Sequence, residues 1–235
     1  MMIRVRWLGK QSVKDIEART DIAVARGEEQ VFVFEPLPTF RFSHDHDMNF
    51  LRVQRKYFEE YRAEQGIDLT RTRDGGGLLY QGPGQLIVWP IIRIQRDFWP
   101  SHARSIFEET MVRFLRSYGV YAFRHEPTFI SSGVWVDDHN ELRKIGFFAS
   151  RFSKINNGMT ILSRGCAVNI SPDLRPFELI NPCNIPGAHV SSVARLTGSS
   201  PDIDEALGSE LVVTFSQVVR EWTDGKISIP HMMLV

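Results

Sequence analysis

The run Gly75-Gly76-Gly77-Leu78-Leu79-Tyr80-Gln81-Gly82-Pro83-Gly84-Gln85 leads without a break into Leu86-Ile87-Val88-Trp89-Pro90-Ile91-Ile92. Three successive glycines lose more backbone entropy on ordering than any other residues would, so a fold that keeps them needs something only they supply. One such use is close approach of the backbone to a ligand. Because these glycines feed an apolar strand, that ligand would be elongated and mostly apolar. The other use is a bulge or turn, and the residues alone leave the two readings level. A phosphate loop is disfavoured, since the G-x-x-x-x-G-K-[ST] spacing is missing and no lysine follows. The β-branched and aromatic run after the glycines predicts a central strand, with Pro90 expected at a bulge.

Upstream of this stretch, residues 2–7 alternate loosely and predict a short strand. Val13, Ile16, Ala18, Ile22 and Val24 give residues 12–26 an uneven helical stripe. Gln30-Val31-Phe32-Val33-Phe34-Glu35 predicts a buried strand, stopped by Pro36, Pro38 and Thr39. The polar segment 43–74 predicts a helix near 48–64 within a surface excursion. Downstream, Ile106, Phe107, Met111, Phe114 and Leu115 form the stripe of a helix over 101–118, with Gly119 where a C′ glycine falls. Strands are expected over 128–136, 142–152, 158–163 and 165–170. Asp137-Asp138-His139-Asn140 and Asn156-Asn157-Gly158 read as hairpin turns. Residues 172–177 predict a turn or short helix, and Asn181-Pro182-Cys183-Asn184-Ile185-Pro186-Gly187 an irregular loop. The last helix is expected to begin with Ser200 as N-cap and Pro201 at N1, with Asp202, Asp204 and Glu205 in its first turn. Its stripe is Leu207, Leu211, Phe215, Val218, Val219 and Trp222. There is no internal repeat, low-complexity tract or linker, so the pattern predicts one α+β domain over 1–235, a mixed β-sheet with flanking helices.

Bulk properties exclude several classes. The 235 residues have 43% apolar and 24% charged content, ordinary for a globular protein. Lys plus Arg and Asp plus Glu number 28 each, which argues against a nucleic-acid binder relying on a basic field. Two cysteines, Cys166 and Cys183, are too few for a disulfide framework and point to a reducing compartment. No apolar run approaches the roughly 20 residues of a membrane helix. The start lacks the h-region of a secretory signal, while a removed organelle presequence stays open.

Four segments, in order, carry a family resemblance. Residues 75–86, Gly-Gly-Gly-Leu-Leu-Tyr-Gln-Gly-Pro-Gly-Gln-Leu, resemble the R-G-G-x-x-T-[FY]-H-G-P-G-Q-L signature of the lipoyl(octanoyl) transferases. Glu35-Pro36-Leu37-Pro38-Thr39-Phe40 is similar to that family's E-[HP]-x-P-T-[FY]. Gly133-Val134-Trp135-Val136, followed by Lys144-Ile145, is similar to its G-V-W-V…K-I hairpin. Arg164-Gly165-Cys166-Ala167-Val168-Asn169-Ile170, then Asp173-Leu174, Phe177 and Ile180-Asn181-Pro182-Cys183, is similar to its H-G-x-A-L-N-V…D-L…F…I-x-P-C run. The resemblance implies a fold similar to the biotin/lipoate protein ligase catalytic domain. It also implies octanoyl transfer from acyl carrier protein to a lysine on lipoyl domains of 2-oxoacid dehydrogenase complexes and glycine cleavage H protein. The donor is already a thioester, so neither ATP, another cofactor nor a metal is implied.

By the same resemblance Cys183 is the acyl-carrying nucleophile and Lys144 the base that deprotonates it. Cysteine suits this role because its thiolate is strongly nucleophilic and its thioester stays activated. Substrate-binding positions carried over are Asp74, Gly75, Gly76, Gly77, Leu78, Leu79, Tyr80 and Gln81, then Phe147, Phe148 and Ala149, then Gly165, Cys166 and Ala167. They would line an acyl slot and offer backbone N–H groups to the thioester carbonyl. Without the motif, both cysteines would read as small buried hydrophobes and Lys144 as a solvated surface group. Cys166, in an apolar strand, keeps the core reading.

The chain departs from the family pattern in the presumed site. Asp74, preceded by Arg73, replaces the arginine before the glycines. Gln81 replaces a histidine and cannot titrate. Arg164 replaces another histidine, adding a permanent cation that either tunes the Cys183–Lys144 pair or binds Asp74 and closes the pocket. Extra residues between Lys144 and Cys183 are expected in the Lys154–Gly158 hairpin. A second reading is a non-catalytic family member that binds lipoyl domains or acyl carrier protein without turnover, with binding that survives Cys183→Ser. An ATP-dependent lipoate or biotin ligase would need a nucleotide-binding lysine and give Pro182-Cys183 no role. A Cys-His hydrolase finds no nominated partner among His125, His139 and His189. Arg52, Arg55, Lys56, Arg62, Arg71 and Arg73 could form a basic face for acidic carrier proteins, or a solvated surface interspersed with Glu59, Glu60 and Glu64. Glu35-Pro36 resembles eukaryotic, mitochondrial members, with a bacterial cytoplasm as the other reading.

Overall fold

The computed structural model describes residues 3–73, 76–95, 100–125, 132–155, 159–223 and 233–234. The chain opens with β1 (Arg4–Gln11), α1 (Val13–Arg26), β2 (Gln30–Pro36) and β3 (Thr39–Phe42). A 3-10 turn at Asp45–Phe50 then leads to α2 (Arg55–Glu64), β4 (Asp68–Arg71), β5 (Leu79–Gln81) and β6 (Gln85–Gln95). Next come α3 (Pro100–Ser117), β7 (Phe123–Arg124), β8 (Val134–Asp138), β9 (Glu141–Phe148), β10 (Arg151–Lys154), β11 (Met159–Ser163) and β12 (Cys166–Asn169). The chain closes with α4 (Arg175–Glu178), a 3-10 turn at Pro182–Asn184, β13 (His189–Val190), α5 (Val193–Thr197), α6 (Glu205–Trp222) and β14 (Met233–Leu234).

The main sheet runs β14-β1-β2-β6-β12-β9-β8-β7, with β10, β11 and β13 attached to it. It is mixed: β1 pairs parallel with β2 and β14, whereas β6 pairs antiparallel with β2, β12 and β11. β6 is its centre because the sequence alternates with no polar face. Leu86, Val88, Ile92 and Ile94 join the layer holding α3 and α6, and Ile87, Trp89 and Ile91 join the layer holding α1 and α2. Burying each such aliphatic side chain contributes about 1.5–3 kcal/mol, so this strand anchors both layers. A smaller sheet, β4-β3-β5, lies beside the first and carries the residues after the glycines.

Several expectations are corrected. Pro90 is not at a bulge: its pairing with β2 runs unbroken from Gln30↔Ile91 through Phe34↔Ile87. The irregularity is in the neighbour, where β11 ends at Ser163↔Ile91 and β12 begins at Cys166↔Val88. Arg164 and Gly165 fill that break, and a Cβ on Gly165 would sit 1.9 Å from the Val88 carbonyl oxygen and 2.7 Å from Pro90 Cδ. The missing N–H of Pro90 thus falls where no ladder partner exists. Thr39 begins a strand rather than stopping one. The helix sought near 48–64 is a 3-10 turn followed by a helix from Arg55. The strand expected over 142–152 is two strands. The last helix is capped by Asp204, whose side chain accepts from the Leu207 N–H, because Ser200 and Pro201 remain in the preceding loop. Trp222 leaves the buried stripe, with the Arg124 guanidinium 5.3 Å from its ring centroid.

The 137–140 turn is as expected, with His139 and Asn140 at φ 58° and 65°, the two left-handed positions of a type I′ hairpin. Gly119 has φ 74° and stands one residue, Tyr118, beyond the end of α3, where a C′ glycine falls. The Asn156-Asn157-Gly158 turn and residues 128–131 lie outside the described residues, although β10 and β11 flank that turn as an antiparallel pair.

Candidate active site

Lys144 lies on β9 and is 1% exposed. Its amine sits 5.6 Å from the Trp135 ring centroid and 5.0 Å from that of Phe147. A Cβ on Gly133 would fall 2.5 Å from Lys144 Cε, so the glycine at the start of the hairpin makes room for the lysine stem. The lysine's main chain is fixed as well, its carbonyl accepting from the Ser191 N–H at 2.9 Å. Ser191 belongs to a buried polar chain: Gln85 Nε2 donates to Asn169 Oδ1 (2.7 Å), and Asn169 Nδ2 donates to the Ser191 carbonyl (3.0 Å). Gln85 also accepts from the Gly82 N–H, and Glu35 accepts from the Gly84 N–H, each at 2.9 Å. The Gly-Pro-Gly-Gln turn is therefore wired to the backbone of Lys144. Gly84 has φ 90°, and a Cβ there would meet Ser171 and Pro172 backbone at 2.4 Å.

Across from the amine stands the sulfur of Cys183. The Lys144 Nζ to Cys183 Sγ distance is 3.4 Å, a separation that spans 39 residues of chain. Among the described residues, no carboxylate pairs with this amine. Cys183 is half-buried, in the left-handed conformation at φ 57° and ψ 28°, and Asn184 follows at φ 58°. The Cys183 N–H donates to the Leu78 carbonyl (2.9 Å), and Asn184 Oδ1 accepts from the Leu78 N–H (2.9 Å). The Leu78 amide is thus taken, which corrects its expected availability to a thioester carbonyl. A Cβ on Gly77 would overlap the Asn184 amide at 2.3–2.5 Å. This gives the last glycine of the triplet its physical reason: a side chain from the cysteine loop crosses the space a Cβ would fill.

Leu79, Gln81, Phe147, Phe148, Ala149, Gly165, Cys166 and Ala167 line one narrow cavity of about 40 Å³ with Ile87, Trp89, Arg41 and Arg164. Arg164 is 2% exposed at φ 78°, its guanidinium 4.7 Å from the Trp89 centroid. Gln81 accepts from Arg41 Nη1 at 3.3 Å, and Arg41 also pairs with Glu17. Burial pushes the Cys166 thiol up to about 12, which fits the core reading of that residue. Tyr80 alternates to the other side of β5, where it lines a separate cavity of about 480 Å³ with Tyr61, Pro83 and Asp173. Leu78 is fully buried and Gly76 is exposed. Asp74 and Gly75 lie outside the described residues.

The remaining candidates fall elsewhere. His125 and His189 are exposed, and His139 sits 2.7 Å from Asp138. Of the basic-face residues, Arg55 and Arg62 pair with Glu59, Lys56 with Glu60 and Arg71 with Asp45, while Arg52 bonds Asn181 and the Ala188 carbonyl. The interspersed-surface reading describes that face better than a free basic patch. Sequence reasoning missed Gly133, Asp47 and Asn184. Gly133 was visible in the G-V-W-V motif, but nothing local distinguishes Asp47 within its run of charges. Among the described residues, no group of three or more His, Cys, Asp and Glu side chains could hold a metal. No described helix is long and apolar enough to cross a membrane.

Residues 52–211 match the family model for the lipoyl protein ligase A/B catalytic domain. An octanoyltransferase of Nitratidesulfovibrio vulgaris (strain DP4) is 31% identical over 195 residues, covering 80% of this chain and 81% of that one. The mitochondrial octanoyltransferase LIP2 of Arabidopsis thaliana is 36% identical over 148 residues, 63% of this chain and 58% of its own length. Among solved structures, a bi-partite lipoate protein ligase from Thermoplasma acidophilum superimposes with a TM-score of 0.66 at 16% identity, covering 100% of both chains. At that identity the likeness is one of fold.

Proposed function

The chain belongs to the octanoyltransferases, within the lipoyl protein ligase A/B catalytic domain family, and we propose that it transfers an octanoyl or lipoyl group through a thioester on Cys183. The donor in this reading is acyl carrier protein. The acceptor is a lysine on lipoyl domains of 2-oxoacid dehydrogenase complexes or on glycine cleavage H protein. The observation that carries the reading is the 3.4 Å approach of a buried amine, without a carboxylate partner among the described residues, to a half-buried sulfur.

The chemistry follows from that pair. Lys144 accepts the Cys183 thiol proton as the sulfur attacks the donor thioester carbonyl. The tetrahedral intermediate collapses, the donor thiolate leaves, and the Lys144 ammonium returns its proton to it. The acceptor lysine's neutral amine then attacks the Cys183 thioester. The Cys183 thiolate departs, and the proton released by the new amide is taken up by Lys144 or directly by that thiolate. One thioester is exchanged for another before the amide forms, so no nucleotide is consumed. Phe147, whose ring centroid is 5.0 Å from the Lys144 amine, also walls the cavity of about 40 Å³ with Leu79, Ile87 and Ala167; this apolar lining favours an acyl group, although the cavity is smaller than a whole octanoyl chain. Glu35-Pro36 supports a mitochondrial setting, with a bacterial cytoplasm as the other reading, and the similar proteins include both kinds.

The test is transfer from octanoyl-acyl carrier protein to an isolated lipoyl domain in buffer free of ATP. Product is expected with the wild type and a loss of about a hundred-fold or more with Cys183→Ser or Lys144→Met. Transfer that requires ATP and free octanoate would contradict the reading.

A further inference from the structure

We propose that Asp47 and Asn184 are positioning residues which together hold the Cys183 sulfur in line with the Lys144 amine. The inference rests on the reading of Cys183 as the nucleophile. Cys183 and Asn184 are successive non-glycine residues in the left-handed region, at φ 57° and 58°. A side chain pays a steric penalty there, so the conformation persists only if its surroundings over-determine it.

The surroundings here are specific. Asn184 spans the gap between the two loops: Oδ1 accepts from the Leu78 N–H at 2.9 Å, and Nδ2 donates to Asp47 Oδ1 at 2.8 Å. Asp47 is 1% exposed, and its other oxygen accepts from the Ser43 and His44 N–H groups, each at 2.8 Å. Burial acts to raise the Asp47 pKa, but the hydrogen bonds from His44, Asn184 and Ser43 and the nearby His46 outweigh it and hold the carboxyl below its usual range. An ionised, buried acceptor therefore orients the Asn184 amide, which cannot flip without opposing the Leu78 donor. The Cys183 N–H to Leu78 carbonyl bond completes a closed ring of contacts around the nucleophile's backbone. Gly77 leaves the amide its space.

The polarity of this latch can be reversed. Asn184→Asp alone sets two carboxylates against each other. Combined with Asp47→Asn, the amide nitrogen and carboxylate exchange places, and the donors of Leu78, Ser43 and His44 each keep an acceptor. The experiment measures single-turnover acylation of Cys183 by octanoyl-acyl carrier protein, the steady-state kcat and KM, and the thermal melt of each variant. Asn184→Asp is expected to slow acylation by about a hundred-fold with donor KM within about two-fold, and the double variant to recover to within about five-fold of wild type. Should Asn184→Asp fail to fold, Asn184→Gly keeps the left-handed backbone, loses only the amide, and is expected to slow acylation by about ten-fold. Acylation indifferent to these changes, or a loss the double variant does not recover in a folded protein, overturns the latch alone. Absence of any adduct in the wild type overturns the nucleophile reading beneath it.

Discussion

Lys144 and Cys183 owe their meeting to residues without side chains as much as to their own. Gly133 has φ 105°, and a methyl there would strike both Lys144 Cε (2.5 Å) and the Gly146 carbonyl oxygen (2.6 Å). Gly133→Ala is therefore expected to displace the amine and lower kcat by about a hundred-fold, as misplacements near 1 Å do, more than its effect on the melt would suggest. Steady-state kinetics beside a thermal melt checks this. The two cysteines should also differ chemically. Cys166 is 1% exposed and its thiol is pushed up to about 12, so iodoacetamide at pH 8 should label Cys183 alone, and Cys183→Ser should remain unlabelled on peptide mapping. Motif context singled out Cys183 and Lys144, which the structure brings to within 3.4 Å of each other. It could not mark Asp47, which acts only through a contact 137 residues away.

At the scale of elements, the β8–β9 hairpin and β13 form the cradle of the lysine. Asp138 ends β8 with a fully buried side chain, and accepts from Arg195 Nε at 2.6 Å and Ser191 Oγ at 3.0 Å. Burial alone would raise its pKa, but Arg195, His139 and Ser191 outweigh that and hold it at about 2. A folded pKa below the unfolded value near ~3.9 contributes stability that is complete above about pH 4 and fades as pH falls toward 2. Asp138→Asn should thus cost about 2 kcal/mol at pH 7, and urea titrations at falling pH should show the gap to wild type closing between about pH 4 and 2. The 137–140 turn was legible because a two-residue hairpin demands left-handed residues, and sequence shows where asparagine can supply them. The break between β11 and β12 was not legible. An irregularity next to a proline shows in sequence only at the proline, while the residues that accommodate it, Arg164 and Gly165, lie more than 70 positions downstream.

For the whole molecule, the α+β architecture follows from one strand, β6, whose two apolar faces call for a helical layer on each side. Periodicity made α3 and the body of α6 readable, since a continuous apolar stripe is a local signal, whereas the uneven stripe of α1 placed the helix but not its buried face, Ala18 and Ile22 being exposed. The start of α6 was misread because Ser200-Pro201 is a plausible cap by itself, and only tertiary packing selects Asp204. The second sheet escaped notice because β3, β4 and β5 are three or four residues each, too short for a period. It bears on the proposed site: β5 sends Leu79 and Gln81 toward the small cavity while the loop before it grips Asn184. The fold thus brings a cysteine loop and a lysine strand, distant in sequence, to within 3.4 Å, and bonds the cysteine loop to Leu78 just after the glycine segment. The claim that Cys183 there carries the acyl group is tested most directly by intact-mass spectrometry after mixing with octanoyl-acyl carrier protein in the absence of an acceptor. The account predicts one octanoyl adduct, mapped to Cys183, absent from Cys183→Ser and released by neutral hydroxylamine as thioesters are. An unmodified protein, under conditions that acylate an active octanoyltransferase, would contradict it.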